Sequence, residues 1–194
     1  GLVGFGLAGR VFHAPLIHAS GMEIVGVVSR QREAASAALP TARLLPDLGA
    51  LLALPGLDLV VIATPNDLHE PQALAALAAG KHVVVDKPMA LSVAGADRLI
   101  QAASESSVTL SAFHNRRWDS DFLTLKRVLD EGALGTVHSF EARWNRYRPK
   151  VADRWRESAL HGGGVLLDRG THLIDQALLL SCIPDSVQSD IYAQ

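Results

Sequence analysis

The sequence predicts an α/β fold in two parts. Residues 1–113 read as an N-terminal Rossmann-type domain, and 114–194 as the incomplete start of an α+β domain. Three features carry this prediction. A glycine-punctuated turn, "GFGLAG", follows an apolar Leu-Val pair at the head of the chain. Short Val- and Ile-rich runs, apolar on both faces, then alternate with Ala- and Leu-rich stretches at helical spacing, the pattern of a buried parallel sheet wrapped by helices. After Phe113 the alternation gives way to an amphipathic stretch, a long period-two run and a glycine cluster.

The strand signals are "EIVGVVS" (23–29), "LDLVVIAT" (57–64), "HVVVD" (82–86) and "VTLSA" (108–112). Between them, "NDLHEPQALAALAAG" reads as a helix capped by Asn66 or Asp67, and "LSVAGADRLIQAASES" as one capped by Ser92. Further on, "DSDFLTLKRVLDEGALG" predicts an amphipathic helix ended by glycine, and "TVHSFEARWNRYRP" a long alternating strand. The stretch after "HGGG" predicts a helix to about Ser181. The closing "DSVQSDIYAQ" begins another period-two strand with an open edge. That edge, and the brevity of what precedes the glycine turn, lead to the expectation that the sequence is truncated at both ends.

Composition narrows the partners. A chain of 194 residues can bury a sizeable core, and 48% hydrophobic with 20% charged residues is ordinary for a globular protein. The net charge of −2 gives no electrostatic reason to expect nucleic acid or an anionic membrane surface. No apolar run approaches the roughly 20 residues that span a bilayer. The single cysteine, Cys182, excludes a disulfide within these residues. It fits a reducing, cytoplasmic compartment and reads as a small buried hydrophobe.

Gly4, Gly6 and Gly9 fit G-x-G-x-x-G. The first glycine permits the tight turn, the second lets backbone approach a pyrophosphate, and the third lets helix pack on strand. Phosphates would sit at the following helix N-terminus, where free N–H groups favour anions. A methyl-donor-binding fold is the competing reading. At the end of the second strand an NAD site normally carries an acidic residue for the ribose hydroxyls. Here Ser29 and Arg30 stand instead, with Arg32 nearby. A hydroxyl beside a guanidinium suits a 2′-phosphate, so NADP is expected over NAD, which stays possible. The alternative is that Arg30 is a solvated helix-start residue.

"GKHVVVDKP" places Lys87 just past the end of a buried strand, where ligands of open α/β sheets bind. Pro88 restricts it to an extended conformation. Such a lysine can donate to a carbonyl or alkoxide oxygen; it can equally be a surface group paired with Asp86. In "GGGVLLDRGTHLIDQALLL", Asp168, His172 and Asp175 fall within ~60° of one another at 100° per residue. This makes a polar stripe on an apolar helix, while Leu166, Leu173 and Ala177 occupy another face, free to pack on the sheet. Zinc ligation by His and Asp four residues apart is a further reading, but no third or fourth ligand lies at a compelling spacing, so no metal is expected.

The run "ATPNDLHEPQALAALAAGKHVVVDKP" after the glycine turn resembles the Gfo/Idh/MocA family of oxidoreductases, with Asp86-Lys87-Pro88 replacing the usual Glu-Lys-Pro. "GFGLAGRVFHAPLI" and "NRRWDSDFLTLKRVLDEGALG" narrow the likeness to the branch with NADP-using scyllo-inositol dehydrogenases. The resemblance implies a second domain with an open antiparallel sheet, which covers the cofactor cleft and often mediates oligomers, so a homo-oligomer is expected. It also implies that Lys87, Asp168 and His172 lie beside the nicotinamide. His172 would be the base, Lys87 would stabilise the alkoxide, and Asp168 would orient the hydroxyl or the imidazole. Thr64, Pro65, Asn66 and His69 would line the cofactor pocket.

The activity implied is reversible oxidation of a secondary alcohol on a cyclic polyol or sugar. Trp144, Arg146, Tyr147 and Arg148 are candidates for the polyol pocket, though alternation should turn half of them away. Arg116, Arg117 and Trp118 fit interdomain packing better than chemistry. Two other classes stay open: a dinucleotide-binding sensor without turnover, and a sugar-processing enzyme that uses its nicotinamide only transiently.

Overall fold

The computed structural model describes residues 1–145, 147, 149–150, 155, 158–181 and 183–192; Arg146, Arg148 and Cys182 therefore lie outside the described residues. The chain divides into two compact units. One is Gly1–Phe113 together with Arg148–Asp168; the other is His114–Tyr147 with Arg169–Gln194. Unlike a single cut after Phe113, this division returns a stretch of the later sequence to the first unit.

Six parallel strands build the first unit: β1 (Leu2–Val3), β2 (Gly26–Val28), β3 (Arg43–Leu45), β4 (Leu59–Ile62), β5 (His82–Asp86) and β6 (Leu110–Phe113). Their order is β3-β2-β1-β4-β5-β6. β1 pairs on one side with β2, Leu2 opposite Val27, and on the other with β4, Leu2 opposite Val61. Successive side chains alternate between sheet faces. Val3, Val60, Ile62, Val83 and Val85 enter one core with Leu77 and Leu99. Leu2, Val27 and Val61 enter the other, with Phe5, Ile17 and Ala35. Both faces are covered, which is why these runs carry no polar alternation.

The helices of this unit are α1 (Ala14–Ala19), entered through a π-helical stretch Gly9–His13, then α2 (Arg32–Ala38), α3 (Leu48–Leu52), α4 (His69–Ala78) and α5 (Val93–Glu105). Ser92 caps α5 as expected, its Oγ accepting the Gly95 N–H at 3.1 Å. The expected cap on α4 is corrected. Asn66–Leu68 form a 3-10 turn without a side-chain cap. The Asn66 amide donates instead to the Gly162 carbonyl at 2.8 Å, and Asp67 Oδ2 pairs with His161 Nδ1 at 3.0 Å. The sequence reading passed over β3, α2 and α3. A three-residue, half-exposed edge strand carries too little pattern to register. The Asp47 cap on α3, accepting the Ala50 N–H at 2.8 Å, was the legible signal there.

In the second unit, α6 (Ser120–Asp130) ends in a Schellman motif. Gly132, at φ 70°, donates to Leu129 O at 3.0 Å, and Ala133 donates to Val128 O at 3.3 Å. The expected strand over 136–149 is not formed in its described part, nor is one formed over 185–192. An extended segment becomes a strand only when another backbone satisfies its N–H and C=O groups, and among the described residues none pairs with these. The final helix is α7 (Thr171–Leu180), preceded by a π-helical stretch Leu166–Gly170. That stretch breaks the 100° spacing assumed between Asp168 and His172, and Leu166 is exposed rather than packed on the sheet. Among the described residues, no helix is long and apolar enough to cross a membrane.

The packing makes a direct prediction for α5. Leu99→Ala should cost about 2–5 kcal/mol in urea unfolding, because it empties a buried site. Ile100→Ala, one residue along and 57% exposed, should stay within about 0.5 kcal/mol.

Candidate functional site

The strand order reverses at β1, and the crevice this opens beyond the strand ends is bordered by the glycine turn. Gly4 adopts φ +96°, and a Cβ there would overlap the Ala63 carbonyl. A Cβ on Gly9 would overlap the Gly4 carbonyl. The protein's own backbone thus demands glycine at both. Gly6 differs, since its Cβ would meet nothing within 4 Å. The turn is tight where it packs and open where a ligand would approach, the arrangement a pyrophosphate needs. The cleft alongside measures about 570 Å³ and also takes in Ser29, Arg30, Thr64 and Pro65. Its size and cradle fit a dinucleotide.

Ser29 Oγ accepts the Gln31 N–H at 2.9 Å, which leaves its own O–H to donate. Arg30 is exposed on the cleft. Arg32, noted beside it in the sequence, lies with its guanidinium 3.4 Å from the Leu45 carbonyl and so turns toward β3.

A narrower pocket adjoins at the end of β5, lined by Thr64, Asn66, His69, Asp86, Lys87 and Asp168 among others. Lys87 is 14% exposed. Its ammonium donates to the Asp168 backbone carbonyl and, at 3.2 Å, to Asp168 Oδ1. The alternative pairing with Asp86 fails for the side chain, because only the Lys87 backbone N–H reaches Asp86 Oδ1, at 3.0 Å. Asp86 faces His13 instead, 3.8 Å from Nε2. Burial works against the charge on Asp86, but His13, His69 and the Lys87 N–H outweigh it and hold the carboxyl below its ordinary range.

Asn66 and His69 line this second pocket, while Thr64 borders both. His69 has each ring nitrogen against a backbone carbonyl, Nδ1 at 2.7 Å from Pro88 O and Nε2 at 2.9 Å from Thr64 O. The sequence reading missed Trp155 and His161, which line the clefts from the returning segment. Nothing local in the sequence marks them. It also missed His13, buried against the Phe113 ring at 4.3 Å, although "VFHAP" holds a histidine on an apolar helical run.

In the second unit, His172 is 5% exposed on α7. One turn on, Asp175 receives a forked pair of bonds from Arg117, with Nε at 2.8 Å. His114 Nδ1 lies 3.7 Å from the same carboxylate. Burial opposes ionisation of Asp175; the Arg117 guanidinium, with His114 and His172, reverses this and keeps its carboxyl below the usual range. The Trp144 ring lies 6.1 Å from that of His172. The guanidinium groups of Arg116 and Arg169 lie over the indole at 5.0 and 4.6 Å. Trp118 and Tyr147 are exposed.

The depressed Asp175 carboxyl has a signed consequence. Stability it contributes is fully present above its ordinary value of 3.8 and is lost as pH falls through the lower folded value. The gap in urea midpoint between the native protein and Asp175→Asn should shrink as pH falls below about pH 4, as the Asp175 carboxyl takes up its proton.

The family model described as "Oxidoreductase family, NAD-binding Rossmann fold", of Gfo/Idh/MocA type, matches residues 1–114, and the Gfo/Idh/MocA C-terminal domain model matches 122–194. The chain is similar to the uncharacterized oxidoreductase YdgJ of Escherichia coli, with 47% identity over 98% of this chain and 56% of the relative. It is 40% identical to the scyllo-inositol 2-dehydrogenase (NADP(+)) IolW of Bacillus subtilis, over 100% of this chain and 54% of that protein. Among solved structures, the oxidoreductase yvaA from Bacillus subtilis superposes with a TM-score of 0.93 at 38% identity, covering 100% of this chain and 56% of that one. The chain spans about half the length of the relatives it matches.

Proposed function

The chain belongs to the Gfo/Idh/MocA oxidoreductase family, and from that premise we propose that it serves an NADP-preferring dehydrogenase. The reaction is reversible oxidation of a secondary alcohol on a cyclic polyol or sugar, inositol-like in shape. The observation that carries this reading is the Lys87 ammonium, tethered to Asp168 in a pocket that adjoins the glycine-turn cleft. A nicotinamide bound there supplies the hydride acceptor.

The chain's own residues do the rest. Lys87, 14% exposed, donates to the substrate oxygen and stabilises the alkoxide as it develops. Asp168 fixes the direction of the lysine. His172 takes the hydroxyl proton. Gly4, Gly6 and Gly9 shape the pyrophosphate cradle, with Thr64 and Pro65 beside it. Ser29 and Arg30 receive the 2′-phosphate through a hydroxyl and a guanidinium, where an acidic residue would repel it. The NADP in the name of the IolW relative supports that preference, and the scyllo-inositol in the same name supports the substrate class.

Two variants test the reading. Arg30→Ala should weaken NADPH binding about tenfold or more, the scale of one charge-assisted contact, and leave NADH binding unchanged. Equal losses for the two cofactors would remove the 2′-phosphate assignment. With NADP⁺ and a panel of inositols and aldoses, nicotinamide reduction should appear with at least one polyol, and Lys87→Ala should lower kcat by about 10²–10³. A protein that binds NADPH and never reduces NADP⁺ would favour a sensor over an enzyme.

A further inference from the structure

His69 stands at the start of α4 with 1% of its surface exposed, and its partners are unusual. Nδ1 lies 2.7 Å from the Pro88 carbonyl oxygen, and Nε2 lies 2.9 Å from the Thr64 carbonyl oxygen. Carbonyl oxygens only accept. A neutral imidazole has one N–H and one bare lone pair, so one of the two contacts would set lone pair against lone pair. Only the doubly protonated ring donates to both.

We infer that His69 is an imidazolium clasp, a positioning residue that ties the Thr64–Pro65 turn after β4 to the Lys87–Pro88 turn after β5. One turn borders the cofactor cleft, and the other carries the proposed catalytic lysine. The clasp therefore fixes the distance between the bound cofactor and the group that must meet the substrate oxygen. A buried cation is costly unless an anion answers it, and Asp86 lines the same pocket, with its carboxyl held in the ionised form. The other charged groups around the pocket are committed elsewhere: Lys87 to Asp168, and Asp67 to His161. His13 faces Asp86 from α1's entry turn. The effect on turnover rests on the dehydrogenase reading; the charge state of His69 rests on geometry alone.

The test reads the ring directly. In protein labelled with ¹⁵N-histidine, a long-range ¹H–¹⁵N correlation at pH 7 distinguishes protonated from bare ring nitrogens, and through-space contacts to Thr64 and Pro88 identify His69 without any variant. Both His69 nitrogens should report as protonated; one bare nitrogen overturns the inference. His69→Gln follows, because its amide offers N–H bonds from one nitrogen and turns its Oε1 on the other carbonyl. It should weaken NADPH binding about tenfold and lower kcat while leaving the polyol KM unchanged. Undiminished NADPH affinity and kcat in that variant would reject the positioning role. A protonated ring and a tenfold loss of NADPH, with no polyol turnover in either protein, would uphold the clasp and reject the dehydrogenase reading.

Discussion

The first unit depends on β1 pairing with two neighbours at once. Leu2 and Val3 are only two residues, yet they hydrogen-bond in parallel to β2 and to β4 and send one side chain into each core. Both ladders end at Val3, and the chain turns sharply there. Gly4 makes that turn at a φ that other residues resist, and Gly9 lets the following helix press on the Gly4 carbonyl. The crevice beyond the strand ends is the space left over. Dinucleotide chemistry in this fold follows from sheet connectivity before any side chain takes part.

Beside the crevice, the charged groups are sorted by reach and burial. Asp86 and Lys87 are adjacent in sequence, but Asp86 ends β5 and Lys87 begins the turn beyond it, and the two side chains meet different partners. Asp86 goes to His13, and Lys87 goes to Asp168. The result is an ammonium held by the backbone carbonyl and the carboxylate of one residue, Asp168, whose side chain is 36% exposed. With two of its three N–H groups donated to Asp168, such a lysine has one left over. The second unit contains the opposite case. Arg117 grips Asp175 with a bidentate fork, and His114 adds to the same carboxylate. That pair fixes structure near His172, as planar, forked pairing does when geometry is satisfied on both sides.

The returning segment shows how loops far apart in sequence cooperate. Residues 148–168 belong to the first unit although a whole helix and its flanking segments precede them. They occupy the polar groups of Asn66 and Asp67, which the local sequence would have spent on capping α4. Loss of a cap usually costs a helix about 1 kcal/mol. Here the 3-10 turn at Asn66–Leu68 leads into α4 without a side-chain cap, and the side chains tie the 148–168 segment to the pocket instead.

Strand runs, glycine turn, the Lys87 position and the capping Ser92 were legible in the sequence because each is a local pattern: period, turn geometry or a fixed offset of a few residues. β3 and α3 were overlooked because three to five residues leave little periodicity to read, and the strands expected after 135 failed because a period-two pattern cannot supply the partner a ladder needs. The polar stripe of Asp168, His172 and Asp175 assumed uniform α-helical spacing, which a π-helical stretch interrupts. The resemblance brought Lys87 and Asp168 to one place, but other partners separated in sequence were invisible: His161 with Asp67, Arg117 with Asp175, and both carbonyls around His69. By itself the sequence determined the fold class and which residue types stand at the strand ends, since those follow from backbone preference and hydrophobic period. The tertiary structure alone decided which charge meets which, because a side chain's partner is set by the packing that brings distant segments within about 3 Å of each other.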